Sequence, residues 1–166
     1  MEIEKLNKVL LLLGSNVGDR LKYISTALLK ISDQIGIITK QSSFWKTDAW
    51  GDTNQEYYIN CAAAIQTKLS ATKILKKINS IETEMGRVRK QKWEARIIDI
   101  DILFNNNYKI KTPDLEIPHP QFQNRKFAIM PVQEIEPELW HPGLQIKIDD
   151  ILAACTDKGH VSIYNT

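Results

Sequence analysis

Two aspartates, Asp99 and Asp101, stand inside the β-branched run 97–103. That run follows a segment with five cations between Arg87 and Arg96, with Trp93 among them. Its length and composition read as a buried strand. Alternation puts both carboxylates on one face, about 6–7 Å apart at Cα, and Ile98, Ile100 and Ile102 on the other. Two anions so close repel each other and lose hydration, so a positive partner is required. The neighbouring arginines could supply it as structural ion pairs. A divalent cation is the second possibility, since Mg²⁺ binds one or two carboxylates together with phosphate oxygens. A single buried Asp beside Arg is ordinarily an ion pair, but nothing structural asks for two. Paired carboxylates next to a basic, tryptophan-bearing segment suit phosphoryl or pyrophosphoryl transfer from a nucleotide.

The elements that must position this pair are those of one globular domain, residues 1–166. The chain is 43% hydrophobic, enough for a substantial core. Its 22 basic and 20 acidic residues leave a net charge of +2. So weak a field argues against bulk nucleic-acid or membrane binding, and the positive charge is concentrated at 87–96. No apolar run approaches a membrane span, and the N-terminus lacks a signal-peptide pattern. Cys61 and Cys155 have no metal-ligand spacing; both read as reduced thiols, which places the protein in the cytoplasm. There are no repeats.

Residues 8–13 form an apolar strand ended by Gly14-Ser15-Asn16, read as a tight turn and not as a phosphate loop. Asp19 caps a helix whose apolar face is Leu21, Ile24, Leu28 and Ile31. Residues 37–47 read as a second strand, and 48–56 as a polar loop with Trp50 exposed at its centre. The third strand, 57–67, places Ile59, Cys61, Ala63 and Ile65 on one face and Tyr58 and Asn60 on the other. A helix over 70–85, with Ile74, Leu75, Ile78 and Ile81 inward, stops at Gly86. The order β-α-β-β-α-β predicts an α+β, ferredoxin-like antiparallel sheet with two helices on one face and the first and third strands in the middle. The last third reads as an appendage. It holds a short hairpin near 108–110, a helix over 124–135 interrupted by Pro131, and a helix over 151–155 capped by Asp149 and Asp150.

Several landmarks occur together: Gly14-Ser15-Asn16, Ser43-Phe44-Trp45-Lys46-Thr47, Tyr58-Ile59-Asn60 and Gly86-Arg87-Val88-Arg89. They continue with Arg96-x-x-Asp99-x-Asp101, then Pro118-His119 and Asn124-Arg125-x-Phe127. In this order, across about residues 8 to 140, they resemble the 6-hydroxymethyl-7,8-dihydropterin pyrophosphokinases of folate biosynthesis. The resemblance implies a monomer with two small-molecule substrates, ATP and the reduced pterin, and a product AMP. It implies two Mg²⁺ ions shared by Asp99 and Asp101, with Arg87 and Arg96 offsetting charge during transfer. Asn79, Glu82, Arg89, Lys92, Trp93, Ile102, His119 and Arg125 match ATP contacts, with Asn79 and Glu82 on the exposed side of their helix. For the pterin, Tyr58 and Phe127 match a ring sandwich and Asn60 an edge-binding amide. Residues 47–50 (Thr47, Asp48, Ala49 and Trp50) match main-chain contacts, and Trp93 a covering ring.

The sequence departs from the family pattern in places. Glu94-Ala95 replaces Gly-Pro before the arginine, and Asp48-Ala49 replaces two prolines, which predicts a looser pterin-side loop. Pro120 replaces an aromatic, and Asp114 and Glu116 fall near adenine-contacting positions. The polar loops 48–56 and 87–95 are expected to have low local stability in the free protein and to close over bound ligands. Two other classes share the topology. A different two-metal nucleotidyl enzyme would leave Tyr58, Asn60 and Phe127 without a purpose. An RNA-recognition module would not place two carboxylates on its binding strand.

Overall fold

A computed structural model describes residues 4–51, 54–88 and 95–165. Arg89, Lys92, Trp93 and Glu94 lie outside the described residues. The first five strands and two helices are β1 (Asn7–Ser15), α1 (Arg20–Gln34), β2 (Ile37–Gln41), β3 (Trp45–Thr47), β4 (Tyr58–Thr67), α2 (Ala71–Glu84) and β5 (Asp99–Asn105). They form one antiparallel sheet in which β4 and β1 are central and β5 closes one side. This is the expected order of the four main strands, with two departures.

The first departure is a break in the second strand, which is two short strands pairing with different parts of β4. Ser42 sits at the break and bridges it. Its N–H donates to the Ala62 carbonyl (2.9 Å), and its hydroxyl accepts from the Ala62 N–H (2.9 Å) in place of a backbone carbonyl. Glu134 then accepts from the Ser43 N–H, the Ser43 hydroxyl and Trp45 Nε1, fixing where β3 begins.

The second departure is that the sheet is covered on both faces. Val9, Leu11 and Leu13 of β1 pack with Ile24 and Ile31 of α1 and Ile74 and Ile78 of α2. The alternate residues Leu10 and Leu12, with Ala62 and Ala64 of β4, face the last third of the chain. That third contains the hairpin β6 (Ile110–Lys111) and β7 (Glu116–Ile117), a 3-10 turn (Phe122–Asn124) and α3 (Lys126–Ile135). It continues through the hairpin β8 (Trp140–His141) and β9 (Ile146–Lys147), α4 (Ile148–Ala154) and β10 (Val161–Ile163). β10 adds to the sheet edge beside β3. Far from being an appendage, this segment supplies the second helical layer.

Three local readings change. Pro131 does not interrupt α3, because the burial of Ala128, Ile129 and Val132 against the sheet holds the helix through its missing amide. α4 starts at Ile148, so Asp149 and Asp150 lie in its first turn, where carboxylates favour the helix dipole, and not at its cap. Gly14 lies inside β1, not in a turn. There it pairs with Asn60 on one side and Asp99 on the other.

Candidate active site

The apolar layer between the sheet and α3 stops at Leu12, and beyond it opens a cleft of about 200 Å³. Three strands meet at its floor. Gly14 matters there because of what it lacks: a Cβ would come within 2.5 Å of Asn60 Oδ1. Glycine lets the Asn60 amide lie across the central strand, where its Nδ2 donates to Thr47 Oγ1 (2.7 Å). Tyr58, two residues earlier on the same face, and Phe127 from α3 also line the cleft. Burial raises the Tyr58 pKa, so the ring presents a neutral phenol.

The carboxylate pair faces the same cleft, as strand alternation requires. The two aspartates are not equivalent. Asp99 accepts from Arg87 (2.9 Å) through one oxygen and from Arg96 (2.9 Å) through the other. Asp101, among the described residues, pairs with Arg125 alone, at 3.8 Å. Burial and the neighbouring Asp99 charge push its carboxyl up to about 7. Burial works against the Arg96 charge, but Asp99, Tyr58 and Asp101 together outweigh it, so the Arg96 pKa is raised.

Arg87 is placed by the end of α2. The Gly86 N–H donates to the Thr83 carbonyl and the Arg87 N–H to the Glu82 carbonyl, both at 3.0 Å, with Gly86 at φ +91°. This is the Schellman arrangement, and it turns the chain back over the helix end. The Arg87 guanidinium thereby meets Glu82 and Asp99 together. Glu82 is therefore not on the exposed side of its helix. It is 2% exposed, bonds Arg87, and accepts the Ile100 N–H (3.1 Å) between the two aspartates. Gly86→Ala is expected to lower stability by about 1–2 kcal/mol through backbone strain alone, since the nearest atom to a Cβ is Ile97 Cδ1 at 3.9 Å. The shift of the urea midpoint measures it.

Arg125 stacks on Trp50, with its guanidinium carbon 4.6 Å from the ring centroid, and also lies 5.8 Å from the Phe127 ring. Trp50 is half-buried by this contact rather than exposed. The chain at Asp48 is tied to a distant segment. Asp48 Oδ2 accepts the His160 N–H (2.9 Å) and the Asp48 N–H donates to the His160 carbonyl (3.1 Å). Thr47, Asp48, Ala49 and Trp50 all line the cleft.

The predicted nucleotide contacts divide. Arg96 and Arg125 line the cleft. His119 lies close enough to Arg125 to feel its charge; burial first, and then Arg125, push its pKa down to about 4. Its Nδ1 accepts the Gln121 N–H (3.1 Å), which leaves the proton of the neutral ring on Nε2. The Ile102 side chain belongs to the core on the opposite face, and Asn79 is exposed on α2. Sequence reasoning missed Gln55, a cleft residue that accepts from Asn16 Nδ2 (3.0 Å). Among the described residues no three His, Cys, Asp or Glu side chains are grouped to hold a metal ion.

Residues 10–137 match the family described as 7,8-dihydro-6-hydroxymethylpterin-pyrophosphokinase. The chain belongs to this family. It is 42% identical over 130 residues to the 2-amino-4-hydroxy-6-hydroxymethyldihydropteridine pyrophosphokinase of Aquifex aeolicus, a match covering 78% of this chain and 81% of that protein. The enzyme of the same name from Haemophilus influenzae is 39% identical over 135 residues, covering 81% of this chain and 84% of the other. A solved HPPK-DHPS structure in complex with substrates superposes with a TM-score of 0.75 at 17% identity. It covers 90% of this chain, which spans 43% of the solved one. A Plasmodium falciparum HPPK-DHPS structure gives 0.73 at 18% identity, covering 90% of this chain and 41% of the other. At these identities the structures speak for the fold.

Proposed function

We propose that this pyrophosphokinase-family chain transfers the terminal pyrophosphoryl group of ATP to the hydroxymethyl oxygen of 6-hydroxymethyl-7,8-dihydropterin. One observation carries the reading. A carboxylate pair held by arginines and a slot suited to a flat ring open into the same cleft. Tyr58 and Phe127 offer two ring surfaces, and Asn60 offers an amide that both donates and accepts. The pterin lies between them with its hydroxymethyl group toward Asp99.

The same geometry bears on Mg²⁺. Asp101 is held less closely than Asp99: its Arg125 partner stands at 3.8 Å, and burial and the Asp99 charge raise its pKa. Two carboxylates together with phosphate oxygens are a donor set that Mg²⁺ accepts. Asp99 and Asp101 would hold the ions, two as in the family pattern, which when bound neutralise phosphate charge and lower the pKa of the pterin hydroxyl. Arg87 and Arg96, already gathered on Asp99, stand where they offset the charge spread during transfer. The bond from the pterin oxygen to the β-phosphorus forms as the bond from that phosphorus to the α–β bridging oxygen breaks, so AMP leaves. Arg125 and His119 supply further donors to the phosphates, with Asn79 at the periphery.

The proposed substrates are small molecules, ATP and the reduced pterin, and the proposed form is a monomer. No helix among the described residues is long and apolar enough to cross a membrane. Cys61 and Cys155 are free thiols, and burial pushes Cys61 up to about 11. This supports a reducing, cytoplasmic setting.

Incubation with ATP, Mg²⁺ and the reduced pterin should yield AMP. Production of ADP, or no nucleotide product, would overturn the reading. Phe127→Ala and Asn60→Ala are each expected to weaken pterin binding by about 1–3 kcal/mol while leaving nucleotide binding nearly unchanged. Calorimetry in the presence of a non-hydrolysable ATP analogue checks this.

A further inference from the structure

Residues 157–163 lie beyond the part of the chain that matches the family, which ends at residue 137. They make contacts that bear directly on the site. β10 pairs with β3 from Val161–Thr47 to Ile163–Trp45, and the Tyr164 N–H continues the pairing to the Phe44 carbonyl (2.8 Å). Just before β10, His160 bonds Asp48 twice, once to its backbone and once to its carboxylate.

Three residues earlier, Asp157 reaches the other side of the cleft. Its Oδ2 accepts the N–H of Lys126, the first residue of α3, between the cleft residues Arg125 and Phe127. Arg125 occupies the N-cap position of α3 without a side-chain cap bond, so Asp157 supplies that cap from 31 residues away. The other Asp157 oxygen accepts the Gly159 N–H (2.9 Å). Gly159 is wedged at this turn: a Cβ there would lie 3.2 Å from Asp157 Oδ1 and 3.8 Å from the Asp48 Cβ.

We infer that residues 157–160 form a strap that sets the spacing of the pterin slot, with Asp157 as a positioning residue for it. The strap joins two groups of lining residues, Thr47 and Asp48 on the sheet edge and Arg125 and Phe127 on α3. Hydrogen bonds from this four-residue segment reach both. Asp157 touches no reacting atom; it acts through the start of α3, which aims Phe127. The inference rests on the pterin reading of the slot given above.

The test compares Asp157→Ala, Asp157→Asn and Phe127→Ala in the full chain. Each is measured for pterin KM and kcat at saturating MgATP, and for calorimetric affinity toward a non-hydrolysable ATP analogue. Losing a cap that positions the ring should raise pterin KM about five- to tenfold with Asp157→Ala, as expected for about 1 kcal/mol of lost alignment. The kcat should stay within about twofold, and analogue affinity, which the strap reaches through Arg125, should change less than pterin KM. Asp157→Asn keeps an acceptor oxygen and should recover most of the KM. A lower melting temperature for Asp157→Ala with unchanged pterin KM would reduce the strap to a structural role and overturn the inference. If Phe127→Ala raises pterin KM and Asp157→Ala does not, the slot stands and the strap fails. If neither raises it, the slot reading falls and takes the strap with it.

Discussion

Replacing Asp101 by asparagine is expected to remove most turnover while making the ligand-free protein more stable at pH 8. The two effects share one cause. Asp101 faces the cleft with Asp99 beside it and one arginine at 3.8 Å, and its carboxyl is pushed up to about 7. A carboxylate whose folded pKa lies above its unfolded value of 3.8 makes the folded chain hold a proton that the unfolded chain has released. Stability therefore falls as pH rises from about 4 to 7, and the full cost is present at pH 8. The side chain is 29% exposed, so after discounting for solvent the gain on removing the charge is about 1–2 kcal/mol at pH 8. It should vanish near pH 4. Denaturant unfolding at both pH values, with chelator present, measures it. Turnover should fall by about two to three orders of magnitude, because under the proposed reading the site loses one of the two anions that would hold Mg²⁺. Asp99→Asn should lose turnover similarly but without the stability gain, since Arg87 and Arg96 both depend on that carboxylate. A destabilised Asp101→Asn protein, or one with near-native turnover, would contradict this account.

Glu82→Ala is expected to cost about 3–5 kcal/mol of stability, the usual penalty for breaking a buried ion pair from one side. It would leave the Arg87 guanidinium and the Ile100 N–H without the acceptor they share at the base of β5. Glu82→Gln, which keeps an acceptor but no charge, should recover part of that loss. A Glu82 that only touched nucleotide would behave differently: both variants would fold with wild-type urea midpoints and show raised KM for ATP alone. Chemical denaturation of the two variants separates these outcomes.

Glu82 also shows what was legible and what was read past. Ile78 and Glu82 are four apart, so helical spacing places the carboxylate on the apolar face, pointing inward beside Ile81. Its helical position, not its charge, decides where the side chain lies. By contrast, the strand alternation that put Asp99 and Asp101 together needs no tertiary information, and neither do the two central strands with their apolar runs. The break at Ser42 was harder to see, because it depends on a hydroxyl standing in for a carbonyl on a strand twenty residues away. The half-buried state of Trp50 and the attachment of Asp48 depend on Arg125 and His160, distant in sequence and carried by segments without a strong apolar period. Non-local pairing of short polar segments leaves little trace in a local pattern.

The position of Gly14 has a consequence for how activity is acquired. It is the only point in β1 flanked by Asn60 on one ladder and Asp99 on the other. The ring slot and the carboxylates are thus brought together by two independent registers, joining residues 46 and 85 positions apart in the chain. Closing such long loops is entropically slow compared with forming either helix. A slip of one residue in either ladder would turn one partner's side chain to the opposite face of the sheet. A chain with α1 and α2 formed but only one ladder paired therefore has the two halves of the site apart, and they meet only when the second ladder forms.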